Sequence, residues 1–136
     1  MNGALRMNLP CEIAVKSVVP AIRALLAREL VENHKLKQSE AAELLAITQT
    51  AVSKYTHYVR GSLLPIENED EVRMSILDTA ASLANGTMNY ATLSLQICRT
   101  CRLVREKRLM CELCRNANSN MELEGCDLCA SSSCQL

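Results

Sequence analysis

The chain contains no Phe and no Trp, and it has only three Tyr among its 136 residues. Its core therefore has to be built from Leu, Ile, Val, Ala and Met. Residues of this kind favour packed helices, whereas β-sandwiches depend on aromatic and β-branched side chains. Hydrophobic residues make up 49% of the chain, which is the level of an ordinary globular protein. The composition predicts an all-α fold.

The lack of aromatic residues also bears on function. Proteins that bind single-stranded nucleic acid stack the bases on aromatic side chains, so this class is disfavoured. No run of about 18 uncharged apolar residues occurs, and we expect no transmembrane helix. The first ten residues lack a basic stretch followed by an apolar one. We therefore expect no signal peptide and a cytoplasmic location.

Charge and cysteine are spread unevenly, although the net charge is zero. Residues 1–63 carry eight basic and five acidic side chains, and residues 64–97 carry one basic and five acidic. Residues 98–136 hold seven of the eight cysteines. The chain thus divides into a basic first part, an acidic middle and a cysteine-rich tail. Because the first part alone is basic, the zero net charge does not exclude DNA as a partner.

In the first part, apolar residues recur every three or four positions from Ile13 onward, as in amphipathic helices. Pro20 interrupts this run, which predicts either a kink or a new helix with Pro20 in its first turn. The helix is predicted to end near Asn33 and His34. Ser39 is predicted to cap the helix that follows.

In the middle part, the acidic cluster 67–71 favours the start of a helix, where negative charge is stabilised. Asn85 and Gly86 favour its end. Thr87 is predicted to cap one more helix, which runs towards Cys98. Both helices carry apolar stripes, which we interpret as the surface of a homodimer.

Two short helices joined by a three-residue turn are predicted in the basic part. Small or aliphatic residues occupy the positions where they approach: Ala42, Ala46, Ile47 and Val52. Thr48 is predicted to cap the second helix, whose opposite face is polar. Such a face fits a major groove about 12 Å wide, although an Ala-rich hairpin that serves only the core is the alternative. The candidate DNA-contacting residues are Gln38, Thr48, Gln49, Thr50, Ser53, Lys54, His57 and Arg60.

This order of small, apolar and polar positions resembles the helix-turn-helix of XRE-type repressors. One departure is Ala46, where many members carry Gly, so Ala46 must accept an unusual backbone conformation. The chain also resembles a family of archaeal transcriptional regulators that join such a helix-turn-helix to a short cysteine-bearing tail. The segments that carry this resemblance are 9–12, 19–23, 38–61, 97–105 and 109–114.

The tail contains paired CxxC motifs, Cys98 with Cys101 and Cys111 with Cys114. Residues three apart on a helix point the same way, so each pair offers two thiolates on one face. A turn around residues 106–108 would bring the two faces together into a four-sulfur pocket. Four thiolates suit an iron–sulfur cluster or tetrahedral zinc, and we favour the cluster because the nine-residue gap is short for a zinc ribbon. The resemblance to regulators of anaerobic archaea implies the same choice.

The remaining cysteines are less informative. Cys11 is interpreted as a small buried hydrophobe, with a distant ligand or an approach to the tail cluster in the folded dimer as alternatives. Cys126, Cys129 and Cys134 supply three further thiolates, which leaves a second metal site open. The basic residues 99–115 have three interpretations of equal weight: a solvated helix face, cations that stabilise thiolates, or contacts to DNA phosphates.

These features predict a helix-turn-helix DNA-binding domain over 1–63, a helical linker and dimerisation segment over 64–97, and a metal-binding tail over 98–136. The predicted function is a homodimeric transcriptional regulator that binds double-stranded DNA and senses redox state, oxygen or iron through an iron–sulfur cluster. The alternative is the same regulator with a structural zinc site. An enzyme is not predicted, because no catalytic grouping, phosphate-binding glycine loop or CxxC beside a βαβ pattern occurs.

Overall fold

A computed structural model describes residues 9–57 and 65–117, and the described chain is all-helical. This confirms the predicted fold class for these residues, which contain no strand. The helices are α1 (Pro10–Lys16), α2 (Val18–Glu32), α3 (Gln38–Leu45), α4 (Gln49–His57), a 3-10 helix (Pro65–Asn68), α5 (Asp70–Ala84), α6 (Tyr90–Glu106) and α7 (Cys111–Ala117).

Helix α2 is the centre of the fold and packs against α1, α3, α4, α5 and α6. It is apolar almost all round, as a helix with neighbours on every side has to be. Its alanines let neighbouring helices approach, and each fully buried Leu or Ile contributes about 1.5–3 kcal/mol of hydrophobic stabilisation. The buried residues of α2 are Val18, Ala21, Ile22, Ala24, Leu25, Leu26, Ala27 and Leu30.

The boundary between α1 and α2 lies at Ser17, where the hydroxyl donates to the carbonyl oxygen of Ile13 at 2.6 Å. Pro20 stands in the first turn of α2, where the missing N–H breaks no helical hydrogen bond. Of the two predicted outcomes, the new helix is therefore the one observed. The predicted end of α2 is also confirmed, since Asn33 is its C-terminal cap.

Helices α5 and α6 are joined by a short turn. The predicted acidic start of α5 is confirmed by Asp70 and Glu71 in its first turn, and the predicted end by Asn85 and by Gly86 at φ +75°. The prediction that Thr87 caps α6 is wrong. Its hydroxyl donates back to the carbonyl oxygen of Ser82, and the side chain of Asn89 caps α6 instead.

Part of the apolar surface of α5 and α6 is buried in the core of their own chain. Val72, Ile76, Ala80 and Leu83 of α5 and Leu93 of α6 belong to the same core cluster as α2. Large apolar side chains of the same helices remain exposed, namely Met74, Tyr90 and Leu95. The dimer surface on these helices therefore stays a prediction.

The two helices are also joined by a hydrogen bond of 2.6 Å between the half-buried Ser75 hydroxyl and the buried Thr100 hydroxyl. The predicted boundary at residue 97 falls inside α6, which runs on to Glu106. Within the described ranges, no helix is both long and apolar enough to span a bilayer.

Candidate functional site

Helix α3 begins two residues earlier than a Ser39 cap requires. Its N-cap is Lys37, whose backbone N–H donates to the Glu40 carboxylate at 2.8 Å. The predicted Ser39 cap is therefore wrong: Ser39 lies inside the first turn. The Glu40 side chain reaches back to the start of the helix and takes over one of the otherwise unpaired N–H groups.

The turn between α3 and α4 is set by Ala46 and Thr48. Ala46 adopts the left-handed conformation, with φ 56° and ψ 43°, which confirms the unusual backbone predicted for it. Its N–H and that of Ile47 both return to carbonyl oxygens of α3. Thr48 then accepts a hydrogen bond from the Ala51 N–H at 3.0 Å, which confirms its predicted role as the cap of α4.

The inner face of α4 packs against α2 and α3. Val52 has no exposed surface, Ala42 is 6% exposed, and Ile47 packs against the same core. These are the positions that the sequence assigned to the contact between the two helices. A nine-residue helix is too short to be stable alone, so this packing is what holds α4 in place.

The outer face of α4 is polar and open to solvent. Five of the candidate DNA-contacting residues are exposed, and Ser53 and Gln38 are half-buried. His57 is held by a 2.8 Å contact between its Nδ1 and the Ser53 carbonyl oxygen. Arg60 lies outside the described residues. The exposed five are Thr48, Gln49, Thr50, Lys54 and His57.

Spacing along α4 divides these side chains into two adjacent rows. Gln49 and Ser53 are four residues apart, and Thr50, Lys54 and His57 continue the second row at intervals of four and three. The helix contains no Asp or Glu, so nothing on it repels a polyanion. The result is a hydrogen-bonding surface with one fixed positive charge.

The four predicted metal ligands lie on α6 and α7, on either side of a turn at residues 107–110. Cys98 is exposed, Cys101 is buried, and Cys111 and Cys114 are half-buried. The turn falls close to the predicted position. Within the described residues, however, no group of three or more Cys, His, Asp or Glu side chains is placed to hold a metal ion.

Helix length explains why the cysteine pairs do not converge. Because α6 continues to Glu106, Cys98 lies about 12 Å of helix axis before the turn, whereas Cys111 follows the turn directly. Cys101 is only 8% exposed and belongs to the core cluster. The four cysteines as ligands of an iron–sulfur cluster or a zinc ion stay a prediction.

Some of the basic residues near the cysteines are engaged by acidic side chains. Lys107 bridges to Glu69, at 3.4 Å, and to Glu71, so that it ties the turn after α6 to the start of α5. The hydrogen bond that Lys107 donates to the Glu71 carboxylate is the main cause that raises the pKa of Lys107 above its usual 10.5. Arg102 pairs with Glu106 on α6 at 3.2 Å. Lys107 and Arg102 thus form ion pairs within the chain, and the three interpretations of the basic run stay predictions.

Cys11 and Arg105 form a contact that sequence spacing gave no means of finding, since 94 residues separate them. Arg105 is 7% exposed, and its Nη1 lies 3.9 Å from the Cys11 sulfur. Cys11 itself is exposed and disulfide-bonded. The interpretation of Cys11 as a buried hydrophobe is therefore wrong. Within the chain, α1 packs against α7, whereas an approach in a dimer stays a prediction. Cys126, Cys129 and Cys134 lie outside the described residues.

No protein family, curated protein or solved structure matches the chain in comparisons of its sequence and structure. The resemblance to XRE-type and archaeal regulators therefore stays an interpretation of the residues.

Proposed function

We propose that the chain is a transcriptional regulator that binds double-stranded DNA with the outer face of α4. The observation that carries this proposal is that the short helix α4 has one buried side and one exposed side. Val52 is completely buried, while Gln49, Thr50 and Lys54 on the other side are exposed. A helix fixed from behind presents its polar side chains at defined positions, which a sequence-reading surface requires.

The dimensions of α4 suit a major groove. Nine residues make a helix about 14 Å long, which spans about four base pairs, and the groove is about 12 Å wide. Gln49 can pair with both edge groups of an adenine, and Lys54 can reach a guanine edge or a phosphate. Thr48 and Thr50, at the start of α4, lie where helix N-termini contact phosphates.

A homodimer is part of the proposal, because four base pairs specify too little for a unique site. Two copies would read half-sites one or more helical turns apart, each turn about 34 Å. Dimerisation is tested directly: sedimentation of the protein with and without a selected duplex should show two chains per duplex.

Selection of duplexes from a random library gives the primary test. The selected duplex should bind Gln49→Ala/Lys54→Ala at least about tenfold more weakly, because a lost base contact costs about 1–3 kcal/mol. Lys16→Ala, which removes an exposed lysine from α1, is the charge-matched control and should bind like the wild type. Equal affinity of the wild type and the double variant, or failure to enrich any sequence, would reject the proposal.

The hypothesis of an iron–sulfur sensor, with zinc as its alternative, is tested separately. Anaerobic purification should give a brown protein with iron and acid-labile sulfide, or a colourless one with zinc. Loading requires Cys101 to leave the core, so Cys101→Ser should abolish metal binding and the loaded form should differ from the described one in α6. A protein that contains neither metal rejects both versions and leaves the DNA-binding proposal intact.

A further inference from the structure

We infer that two copies of this chain associate through the sides of α5 and α6 that are turned away from α2, which we call the α5–α6 face. The inference rests on the homodimer in the proposed function and identifies its surface. Both helices pack their buried residues against α2. The α5–α6 face is defined by residues that recur every three or four positions, Met74, Asp78 and Ala81 on α5 and Ala91, Leu95 and Arg99 on α6.

The α5–α6 face exposes large apolar side chains. Met74 is 52% exposed and Leu95 is 49% exposed, whereas the other Leu, Ile and Val residues of these two helices are buried or half-buried. The small side chains of Ala81 and Ala91 allow a further helix to approach closely. Exposed apolar side chains that share one face indicate contact with another protein surface.

Charge is missing from the same region. Residues 79–98 contain no charged side chain, which makes them the longest uncharged stretch of the chain. Burial explains this for the buried positions only, and Leu95 and Cys98 are exposed. On α2, by contrast, both exposed residues are charged, Arg23 and Glu32. Depletion of charge is typical of the centre of a protein–protein interface, whereas a DNA-binding surface is rich in Lys and Arg.

Opposite charges flank the uncharged stretch, Asp78 before it and Arg99 after it, and both side chains are exposed. Within residues 9–57 and 65–117, Asp78 forms no ion pair. The guanidinium of Arg99 donates to the side-chain oxygen of Gln96 at 3.3 Å. Both charges are therefore accessible to a second molecule.

The two charges make the α5–α6 face complementary to itself. Ser75 and Thr100 are hydrogen-bonded, so they mark the same height on the two antiparallel helices. Towards the turn that joins the helices, Asp78 lies about 4.5 Å and Arg99 about 1.5 Å beyond this point. A two-fold axis parallel to the helices places α5 of each copy against α6 of the other, as in a four-helix bundle. Asp78 of each copy then faces Arg99 of the other, which favours a second copy over an unrelated partner.

Charge reversal tests this pairing. Asp78→Arg and Arg99→Asp each place like charges opposite one another in a homodimer, and each should raise the dimer dissociation constant at least about tenfold. An equimolar mixture of the two variants should dimerise like the wild type, because both contacts of the mixed dimer again join opposite charges. Sedimentation equilibrium without DNA measures the three constants, and native mass spectrometry identifies the mixed dimer.

Reversals on another helix are the matched controls. Arg23→Asp and Glu32→Arg exchange exposed charges of α2 and should dimerise like the wild type. Leu95→Gln tests the apolar contact and should weaken the dimer about tenfold, whereas Val15→Gln, at an exposed valine of α1, should not.

Circular dichroism shows whether each variant is folded, which is expected because the changed positions are exposed. If a reversal unfolds the protein, the neutral variants Asp78→Asn and Arg99→Gln take its place, and each should weaken the dimer about threefold.

A monomeric wild type would overturn the inference and would mean that a different partner covers the α5–α6 face. A wild-type dimer that neither reversal weakens, or a mixture that does not regain the dimer, would also overturn it, because the copies would then meet elsewhere. Duplex selection reports separately on the proposed function: a dimer that enriches no duplex rejects DNA binding and leaves the α5–α6 face as its contact surface.

Discussion

The helix pairs α3–α4 and α6–α7 each contain a sequence motif from which a functional site was predicted. The observed geometry agrees with the prediction to a different extent in the two pairs. In α3–α4, the turn, the cap at Thr48 and the buried contact at Val52 all occur as predicted. In α6–α7 the turn also forms, but the four thiols do not assemble, and Cys101 packs in the core.

The difference follows from what each site requires. The polar face of α4 needs only helical periodicity and one buried stripe, which are local properties of nine residues. A four-sulfur site needs two helices to end at the right residues and to face each other. Cys98 lies about 12 Å of helix axis before the turn, and the CxxC spacing does not specify how α6 and α7 face each other.

The largest predicted effect tests whether the helix pairs α3–α4 and α6–α7 belong to one cooperatively folded core. Val52→Ala in α4 and Val104→Ala in α6 each remove two methyl groups from side chains with no exposed surface. Each should lower the free energy of unfolding by about 2 kcal/mol, and both should act on one cooperative transition. Urea unfolding followed by circular dichroism measures this.

The matched control is Val15→Ala, at a valine that is 63% exposed, and its effect should stay within about 0.5 kcal/mol. A second transition in either buried variant would mean that the two pairs fold as separate units.

The next effect concerns the cap of α4. Thr48→Ala removes the oxygen that accepts from the Ala51 N–H and should lower the free energy of unfolding by about 1 kcal/mol. Thr50→Ala, two residues along the same exposed face, is the control and should change stability by less than about 0.5 kcal/mol. Similar losses in both variants would show that the hydrogen bond of Thr48 does not stabilise the helix.

The helix caps show how well the ends of helices can be predicted from the residue types found there. Thr48, Asn85 and Gly86 were predicted correctly because one residue type at a helix end strongly favours one backbone geometry. Ser39 and Thr87 were predicted by the same rule and failed. In each case a neighbour competed for the cap: the Glu40 carboxylate at the start of α3, and Asn89 at the start of α6.

The partner of an apolar helix face, and contacts between residues far apart in the chain, were harder to predict from the sequence. The apolar stripes of α5 were identified, but a stripe does not say whether its partner belongs to the same chain or to a second one. The contact between Arg105 and Cys11 joins α6 to α1 across 94 residues. Only the packing of complete helices determines such a contact.

A smaller effect tests the strained turn of α3–α4. Ala46 has a positive φ of 56°, which costs a residue with a Cβ about 1 kcal/mol and costs Gly almost nothing. Ala46→Gly should therefore raise the free energy of unfolding by about 0.5–1 kcal/mol. Ala81→Gly, inside α5, should lower it by a similar amount, because Gly is unfavourable in a helix.

Chemical denaturation of the two variants against the wild type gives both differences. Opposite signs for the same substitution confirm that the backbone at Ala46 is under strain, and a loss of stability in both variants would contradict it.

The smallest effect concerns the ion pairs that hold the α6–α7 turn to α5. Hydrogen bonding to Glu71 raises the pKa of Lys107 above 10.5, so the folded state binds this proton more tightly than the unfolded chain does. The stabilisation is fully present below pH 10.5 and is lost as the pH rises through the raised value. Because these side chains are partly exposed, salt should also weaken this stabilisation.

The free energy of unfolding, measured from about pH 9 to 12, should therefore fall more steeply in the wild type than in Lys107→Gln. Lys16→Gln removes an exposed lysine of α1 and should follow the wild-type slope. Parallel curves for the wild type and Lys107→Gln would mean that the contacts with Glu69 and Glu71 do not hold the turn in solution. The position of α7 would then depend on the buried Met110 and on the half-buried Leu113 and Cys114.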